Sequence, residues 1–186
     1  MTDDPGTPGN GNWEVNLAFT AEKRGGNRVF EAPLLDLNYG VGEKIQLKFE
    51  LPWVFVRDEA EEMKNGLGNS EIGVKWRFLD QATHWLDVSV YPQVEFTNPT
   101  SSARRGIVEE GTAWVFPVQM EKGFGGLSVN PVIGIVLVEE EDEWLYGLAV
   151  GYSPLAGIEL LAEFHGRAEL DFEDDELKTT RDWLRS

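Results

Sequence analysis

The stretch that decides the fold runs from Leu37 to Val56 and reads LNYGVGEKIQLKFELPWVFV. A tight turn, Gly40-Val41-Gly42-Glu43, separates two segments in which apolar and polar residues alternate. Strict alternation of this kind predicts β-strands with one apolar and one polar face. In the second segment the apolar face carries Ile45, Leu47, Phe49, Leu51, Trp53 and Phe55, and the polar face carries Gln46, Lys48 and Glu50.

The same alternation recurs along most of the chain and predicts nine strands. Most of these segments exceed the usual strand of about 5–6 residues and match the tilted span of about 9–11 residues that crosses a bilayer. The links after the second, fourth, sixth and eighth segments are tight, whereas those after the third and fifth are long and polar. The predicted strands are 13–22, 28–39, 45–56, 70–79, 85–97, 112–122, 127–138, 143–153 and 157–172.

This alternation of short turns and longer acidic loops predicts an all-β, antiparallel up-and-down meander. It is typical of a transmembrane β-barrel, here with about 9–12 strands. Five prolines fall inside the predicted strands, where a missing N–H is disfavoured, and we expect bulges beside them. These prolines are Pro33, Pro52, Pro92, Pro117 and Pro131.

Alternation alone leaves open which face points inward. A soluble sandwich or lipocalin-like barrel turns its apolar face in, and a membrane barrel turns it out. The outward orientation is favoured because the apolar faces carry more bulky residues than a barrel of about 8–10 strands encloses. The polar faces carry charges of both signs, which can pair across a wet lumen. The candidate lumen-lining residues, which would set selectivity, are Lys48, Glu50, Glu71, Lys75, Arg77, Glu95, Glu163, His165 and Arg167.

Tryptophan and tyrosine residues fall near strand ends, which also favours the outward orientation. Two belts of aromatic residues at the membrane interfaces would produce this distribution, although tryptophans that pack a core are the alternative. The predicted interface residues on the short-turn side are Trp13, Tyr39, Trp76, Trp85 and Tyr152, and those on the loop side are Trp53, Trp114 and Trp144.

Composition excludes several classes of protein. The 186 residues carry a net charge of -17 and no cysteine, so nucleic-acid binding, disulfides and thiolate metal sites are not expected. No apolar run reaches the length of about 18 residues that a transmembrane helix needs. The start, residues 1–12, is a Pro/Gly-rich leader without the features of a signal peptide. Two alternatives follow: a mature exported form with an added Met, or a cytoplasmic protein.

Catalytic and metal-binding signals are weak. The chain has no nucleophile elbow, phosphate-binding loop or zinc-binding His pair. His84 lies in a predicted turn, and His165 lies on a polar face between Glu163 and Arg167, where a hydrogen-bond network explains it. The runs of acidic residues at 58–62, 139–143 and 171–176 indicate solvated loops, and their spacing matches no Ca²⁺ loop. We therefore expect no enzyme activity, no cofactor and no bound metal.

Four stretches carry a resemblance to a known family. They are TDDPGTPG at 2–9 followed by WEVNL at 13–17, EAPLLDLNYG at 31–40, GLGNSEIGVKWRF at 66–78, and YPQ at 91–93. Together they resemble the phenol-degradation meta-pathway outer-membrane family, whose members are labelled transporters. The resemblance implies a β-barrel in the outer membrane of a Gram-negative bacterium, in contact with lipid. It also implies uptake of small, often aromatic, molecules, and it carries no catalytic residues.

The carboxyl terminus departs from this pattern. Such barrels usually finish on an aromatic residue, whereas this chain ends Asp182-Trp183-Leu184-Arg185-Ser186. The predicted organisation is a leader at 1–12, a barrel at 13–172, and an acidic tail or incomplete closing strand at 173–186. The leading functional hypothesis is a narrow outer-membrane transporter or channel for small molecules. The alternatives are a soluble lipocalin-like binding barrel and a structural or adhesive surface barrel.

Overall fold

The computed structural model describes residues 4–24, 27–57, 62–139, 141–155 and 157–170, which form one antiparallel sheet and a short helix. None of the helical structure in these ranges is long and apolar enough to cross a membrane. The strands are β1 (Trp13–Arg24), β2 (Asn27–Val41), β3 (Ile45–Arg57), β4 (Met63–Leu67), β5 (Asn69–Leu79), β6 (Asp87–Val90), β7 (Gln93–Thr97), β8 (Thr112–Phe124), β9 (Leu127–Leu137), β10 (Glu143–Leu155) and β11 (Ile158–Glu169), and the helix is α1 (Thr100–Arg104).

The strands follow one another as a meander, in the order β1-β2-β3-β5-β6-β8-β9-β10-β11. Along β3, Ile45–Glu50 pair with β5 and Trp53–Arg57 pair with β4. Strand β7, like β6, pairs with β5 on one side and with β8 on the other. The pairs β4/β5 and β6/β7 therefore each occupy one position, so the described residues form nine positions. The prediction of an antiparallel up-and-down meander is confirmed, with β1 and β11 at the two ends of its order.

The observed strand bounds differ from the predicted ones mainly where the structure interrupts a predicted strand or adds a short element. The predicted strand 85–97 is divided at Tyr91 and Pro92 into β6 and β7. The short strand β4 and the helix α1 were not predicted, because both lie in stretches that lack regular alternation. The predicted tail 173–186 and the end of the predicted strand 157–172 lie outside the described residues, as do most of the acidic residues at 58–61.

Bulges accompany two of the five strand prolines, as expected. The ladder between β2 and β3 shifts between Glu31 and Leu34, across Pro33. At Pro52 the partner of β3 changes from β4 to β5, and the N–H of Gly68 donates to the Pro52 carbonyl at 2.8 Å. In contrast, Pro117 stays within its ladder, opposite Gly134.

The polar face of the sheet is the buried one from β2 to β10, whereas most residues of β1 and β11 are exposed on both faces. We call the face that carries Gln46 and Lys75 the inner face, and the face that carries Leu47 and Val74 the outer face. Lys75 is only 2% exposed and Ser89 is fully buried, whereas Leu47 and Val74 are exposed. Within the described ranges thirty large apolar side chains are exposed, against nine buried hydrophobic ones. Burial is thus inverted relative to a sheet that packs an apolar core.

Two segments outside the strands cover the inner face. Residues 4–12 cross it at the end of the sheet where the short turns lie. At the opposite end, the segment that contains α1 places Ile107 against Val54 and Val56 of β3, which forms a small apolar cluster. Ser102 of α1 is buried nearby. Residues 4–12 of the predicted leader therefore pack against the sheet and do more than lead into β1.

Close approach of β8 and β9 depends on a glycine. A Cβ at Gly134 would lie 2.7 Å from the carbonyl oxygen of Phe116 and 2.7 Å from the Cα of Pro117, both backbone atoms. We expect Gly134→Ala to lower the free energy of unfolding by about 1–3 kcal/mol, because the strands must move apart. Urea unfolding followed by tryptophan fluorescence measures this change.

Gly111→Ala is the matched control, because a Cβ there has no neighbour within 4 Å. We expect it to change the free energy of unfolding by less than about 0.5 kcal/mol. Equal midpoints for the Gly134 variant and the unmodified protein would contradict the described contact between β8 and β9.

Candidate functional site

A cluster of charged side chains occupies the middle of the inner face. Lys48 Nζ lies 2.9 Å from Glu50 Oε2 and 3.1 Å from Glu71 Oε1. The cluster forms because Lys48 and Glu50 point to the same side of β3, and the register places Glu71 of β5 directly beside Glu50. One ammonium group thus offsets two carboxylates that would otherwise repel each other in a poorly solvated place.

Polar residues of β5 and β7 extend this cluster. The side-chain amide of Gln93 donates to both carboxylate oxygens of Glu71, at 3.0 and 3.1 Å. Glu95 accepts a hydrogen bond from the Asn69 side chain at 2.9 Å, and the Thr97 hydroxyl donates to Asn69 Oδ1 at 3.2 Å. The sequence prediction included Glu95 but missed Gln93 and Asn69, which alternation marks only as polar.

A second buried cation lies nearer the short turns. Lys75 Nζ donates to the backbone carbonyl of Asp4 at 2.7 Å and lies 4.8 Å from the centre of the Tyr91 ring. The carboxylate of Asp4 also lies near enough to Glu121 of β8 for the two to repel each other. Residues that precede β1 therefore reach from β5 towards β8 across the inner face.

The rest of this amino-terminal segment is fixed to the turn between β2 and β3. Backbone hydrogen bonds of 2.9 Å join the Gly11 N–H to the Gly40 carbonyl, and the Gly40 N–H to the Asn12 carbonyl. The Asn10 side chain accepts from the N–H of Gly42 at 3.0 Å. A Cβ at Gly40 would collide with the carbonyl oxygen of Gly9. We call residues 4–12 the amino-terminal strap.

The remaining candidate residues separate into two places. Arg77 donates to the carbonyl of Glu43 at 3.0 Å and lies 3.7 Å from Asp80, so it belongs to the short-turn end. Glu163, His165 and Arg167 lie together on β11, at the end of the sheet order. His165 Nδ1 is 3.3 Å from Glu163 Oε1, and Arg167 donates to Glu143 Oε2 at 3.3 Å.

The inner face is not charged throughout. On β8, β9 and β10 most of its residues are small or aliphatic, including Val115, Val132, Val136, Gly147 and Ala149. Most charged residues of the inner face therefore lie on β1 to β7 and β11, and the assignment of this face to a lumen stays a prediction. The sequence pattern in 127–138 and 143–153 does not distinguish a charged inner face from an aliphatic one, because both faces of those segments are largely apolar.

Carboxylates dominate the charge of the inner face. Among the strand residues whose side chains the structure describes, the register places twelve carboxylates and five permanent cations on it, a difference of seven negative charges. By strand register the carboxylates are Glu14, Glu22, Glu31, Asp36, Glu50, Glu71, Asp87, Glu95, Glu121, Glu143, Glu163 and Glu169, and the cations are Lys48, Lys64, Lys75, Arg77 and Arg167.

The aromatic residues that the sequence assigned to interfaces lie on the outer face or, for Trp85, in the turn before β6. Trp85 is 72% exposed, and the five other tryptophans among the described residues are exposed as well. Trp13 and Tyr39 are opposite each other on β1 and β2, with ring centres 4.8 Å apart. On β10, Trp144 lies near the loop end and Tyr152 near the turn end, eight residues apart.

The histidines and serines do not form a hydrolase arrangement in the described structure. The Ser89 hydroxyl donates to Gln119 at 2.8 Å. Ser128 pairs with Gly151, whereas His165 pairs with Gly147, four residues away along β10. His84 lies in the exposed turn before β6 and contacts the Thr83 hydroxyl. No group of His, Asp and Glu among the described residues could hold a metal ion.

No protein-family model matches this chain, and no curated protein matches it.

The ion pairs of Lys48 with Glu50 and Glu71 should contribute to the stability of the fold. Lys48→Met leaves Glu50 and Glu71 side by side without their shared cation, and we expect it to cost about 2–5 kcal/mol of the free energy of unfolding. Adding Glu71→Gln should recover part of this loss, because it removes one of the two repelling charges. Urea unfolding of the two variants measures both effects.

Arg167→Met is the control, because its pair with Glu143 is much more exposed. Exposed pairs contribute about 0–1 kcal/mol. A cost at Lys48 no greater than the cost at Arg167 would show that the central cluster is not a dry ion-pair network.

Proposed function

We propose that this protein is a small β-barrel of the outer membrane that passes small molecules along a narrow path, which the amino-terminal strap keeps closed. The observation that carries the proposal is the inverted burial: from β2 to β10 the inner face is the buried one and carries most of the buried polar groups, whereas the outer face is apolar and exposed. An apolar surface of this extent on a monomer is otherwise an aggregation liability, and contact with lipid removes that cost.

The spacing of the outer aromatic residues supports contact with a bilayer. The eight residues between Trp144 and Tyr152 correspond to about 27 Å along a strand. At the usual tilt of about 40° this gives a height of about 21 Å, close to the apolar band of roughly 25 Å in outer-membrane barrels. Leu148 lies midway between the two aromatic rings and is exposed.

The inner face supports a narrow path rather than a wide pore. The strap covers one end, the segment around Ile107 covers the other, and the side chains between them are packed against each other. A barrel of about nine or ten strands is largely filled by its own side chains. Passage therefore requires a movement, and we expect the strap to move, because it lies outside the strand ladders and is held by a small set of hydrogen bonds.

The charge of the inner face indicates the class of substrate. With twelve carboxylates against five cations on the described strands, a path along this face attracts cations and repels anions. Uncharged and cationic small molecules, including aromatic ones that can slide along the aliphatic side chains of β8 to β10, are the substrates that fit. Carboxylates and phosphates are disfavoured.

The soluble lipocalin-like alternative needs the apolar face inside, and the exposure of Leu47, Leu148 and the outer tryptophans argues against it. The adhesive alternative depends on the acidic loops, parts of which lie outside the described residues. The resemblance to the phenol-degradation meta-pathway outer-membrane family is consistent with the proposed location and transport.

Substitution by arginine on the outer face tests the contact with lipid. Leu148→Arg places a charge midway along the apolar band, and we expect it to cost about 2–4 kcal/mol in lipid vesicles, whereas a charge near an interface costs about 0–1 kcal/mol. Leu155→Arg, at the end of β10, is the matched control. Urea unfolding in vesicles measures both, and faster migration of unboiled than boiled protein verifies folding. Equally small losses in the free energy of unfolding for the two variants would contradict contact between the outer face and lipid.

Removal of residues 1–12 tests the strap. We expect the shortened protein to conduct in planar bilayers, with cations preferred over anions, while the full chain stays closed under the same conditions. Gly40→Ala is a milder variant, because its Cβ displaces the Gly9 carbonyl, and it should open intermittently. Gly111→Ala serves as the control. Unchanged conductance in both strap variants would contradict a gate formed by this segment.

A further inference from the structure

Charged side chains on the outer face are few and share one sign. In the described strands the register places only Lys23, Arg28, Arg57 and Lys122 there. All four are basic, although the chain as a whole carries a net charge of -17. All four also lie near strand ends, so none interrupts the middle of the apolar surface.

Three of these cations are neighbours. Lys23 of β1 pairs with Arg28 of β2, and Arg28 pairs with Arg57 of β3. Directly opposed residues in antiparallel strands have Cα atoms about 4.5–5.5 Å apart, so the three span roughly 10 Å. All three side chains are exposed. We call this set the basic row.

The basic row borders the apolar surface at the loop end of the sheet. Two residues further along the same strands and on the same face lie Phe30 and Phe55, which pair with each other. Trp53 continues this line towards the middle of β3 and is exposed. On the opposite face, Val56 packs against Ile107, which fixes the orientation of Arg57 outward.

Three like charges placed directly opposite one another destabilise a sheet unless an anion offsets them. Two guanidinium groups and an ammonium group side by side in one row suit a phosphate group, because arginine binds phosphate oxygens through paired N–H donors. Aromatic rings below such a site suit hydrocarbon chains. The arrangement therefore matches an amphipathic anion whose polar part lies at the strand ends.

We propose that the basic row binds the phosphate group of an anionic membrane lipid, whose acyl chains lie along Phe30, Phe55 and Trp53. This inference rests on the proposed membrane function, since it requires lipid against the outer face. The acidic chain repels anionic lipid overall, so the local row is needed to hold a lipid of this charge.

The experiment compares lipid retention by native mass spectrometry after reconstitution with phosphatidylglycerol or phosphatidylcholine of identical chains. The unmodified protein is expected to retain phosphatidylglycerol preferentially. Each cation near a bilayer contributes roughly a fivefold preference for anionic lipid, so the variant Lys23→Gln/Arg28→Gln/Arg57→Gln should lose a factor on the order of a hundred. Retention of phosphatidylcholine should not change.

The charge-matched control is Lys44→Gln/Arg104→Gln/Arg105→Gln, which removes three cations from a turn and from the helical segment. An equal loss in this control, or full retention in the basic-row variant, overturns the proposal. If the triple variant does not refold, Arg28→Gln alone should lower the preference roughly fivefold. Insertion of the unmodified protein without a head-group preference contradicts the basic row alone, whereas failure to enter either vesicle contradicts the membrane function as well.

Discussion

Burial of the polar face is the constraint on which the rest of the structure depends. A charged or amide group removed from water must find a partner, because an unpaired buried group costs far more than a pair contributes. At its centre the inner face meets this requirement by register. Lys48 sits where it can contact both Glu50 and Glu71, and the amide of Gln46 donates to the Asn38 side chain at 2.6 Å.

The same constraint explains why residues before β1 are ordered. Lys75 is buried at a position where the partner is a backbone carbonyl, supplied by Asp4. The glycine at position 40 leaves room for the backbone of Gly9 to approach β2. A Pro/Gly-rich segment suits this position, because it carries few bulky side chains and offers carbonyl groups without a competing ladder. The contacts that position the strap are therefore the ones that the proposed gate would have to break.

Much of the fold follows from the sequence because alternation and turn chemistry report it directly. Residues 45–56 predict β3 within one residue, and the glycines at 40 and 42 predict the turn before it. The candidate site is only partly predictable. Alternation places Lys48, Glu50 and Glu71 on one face, but their contact depends on the shift at Pro52, which sets the register of β5 against β3. The contact between Lys75 and Asp4 spans 71 positions in sequence and has no local signature.

The inner face is divided into a charged part on β3 and β5 and an aliphatic part on β9 and β10, and the two parts differ in the length of their side chains. Glycine at 134, 147 and 151 and alanine at 149 leave the inner face of β9 and β10 with mostly short side chains, whereas β3 and β5 carry long ones that are paired with each other. In the proposed barrel, free volume would therefore collect beside β9 and β10 and not along the centre. A molecule that the proposed transporter carries would travel in an off-centre slot with one smooth wall, with its flat side turned towards that wall.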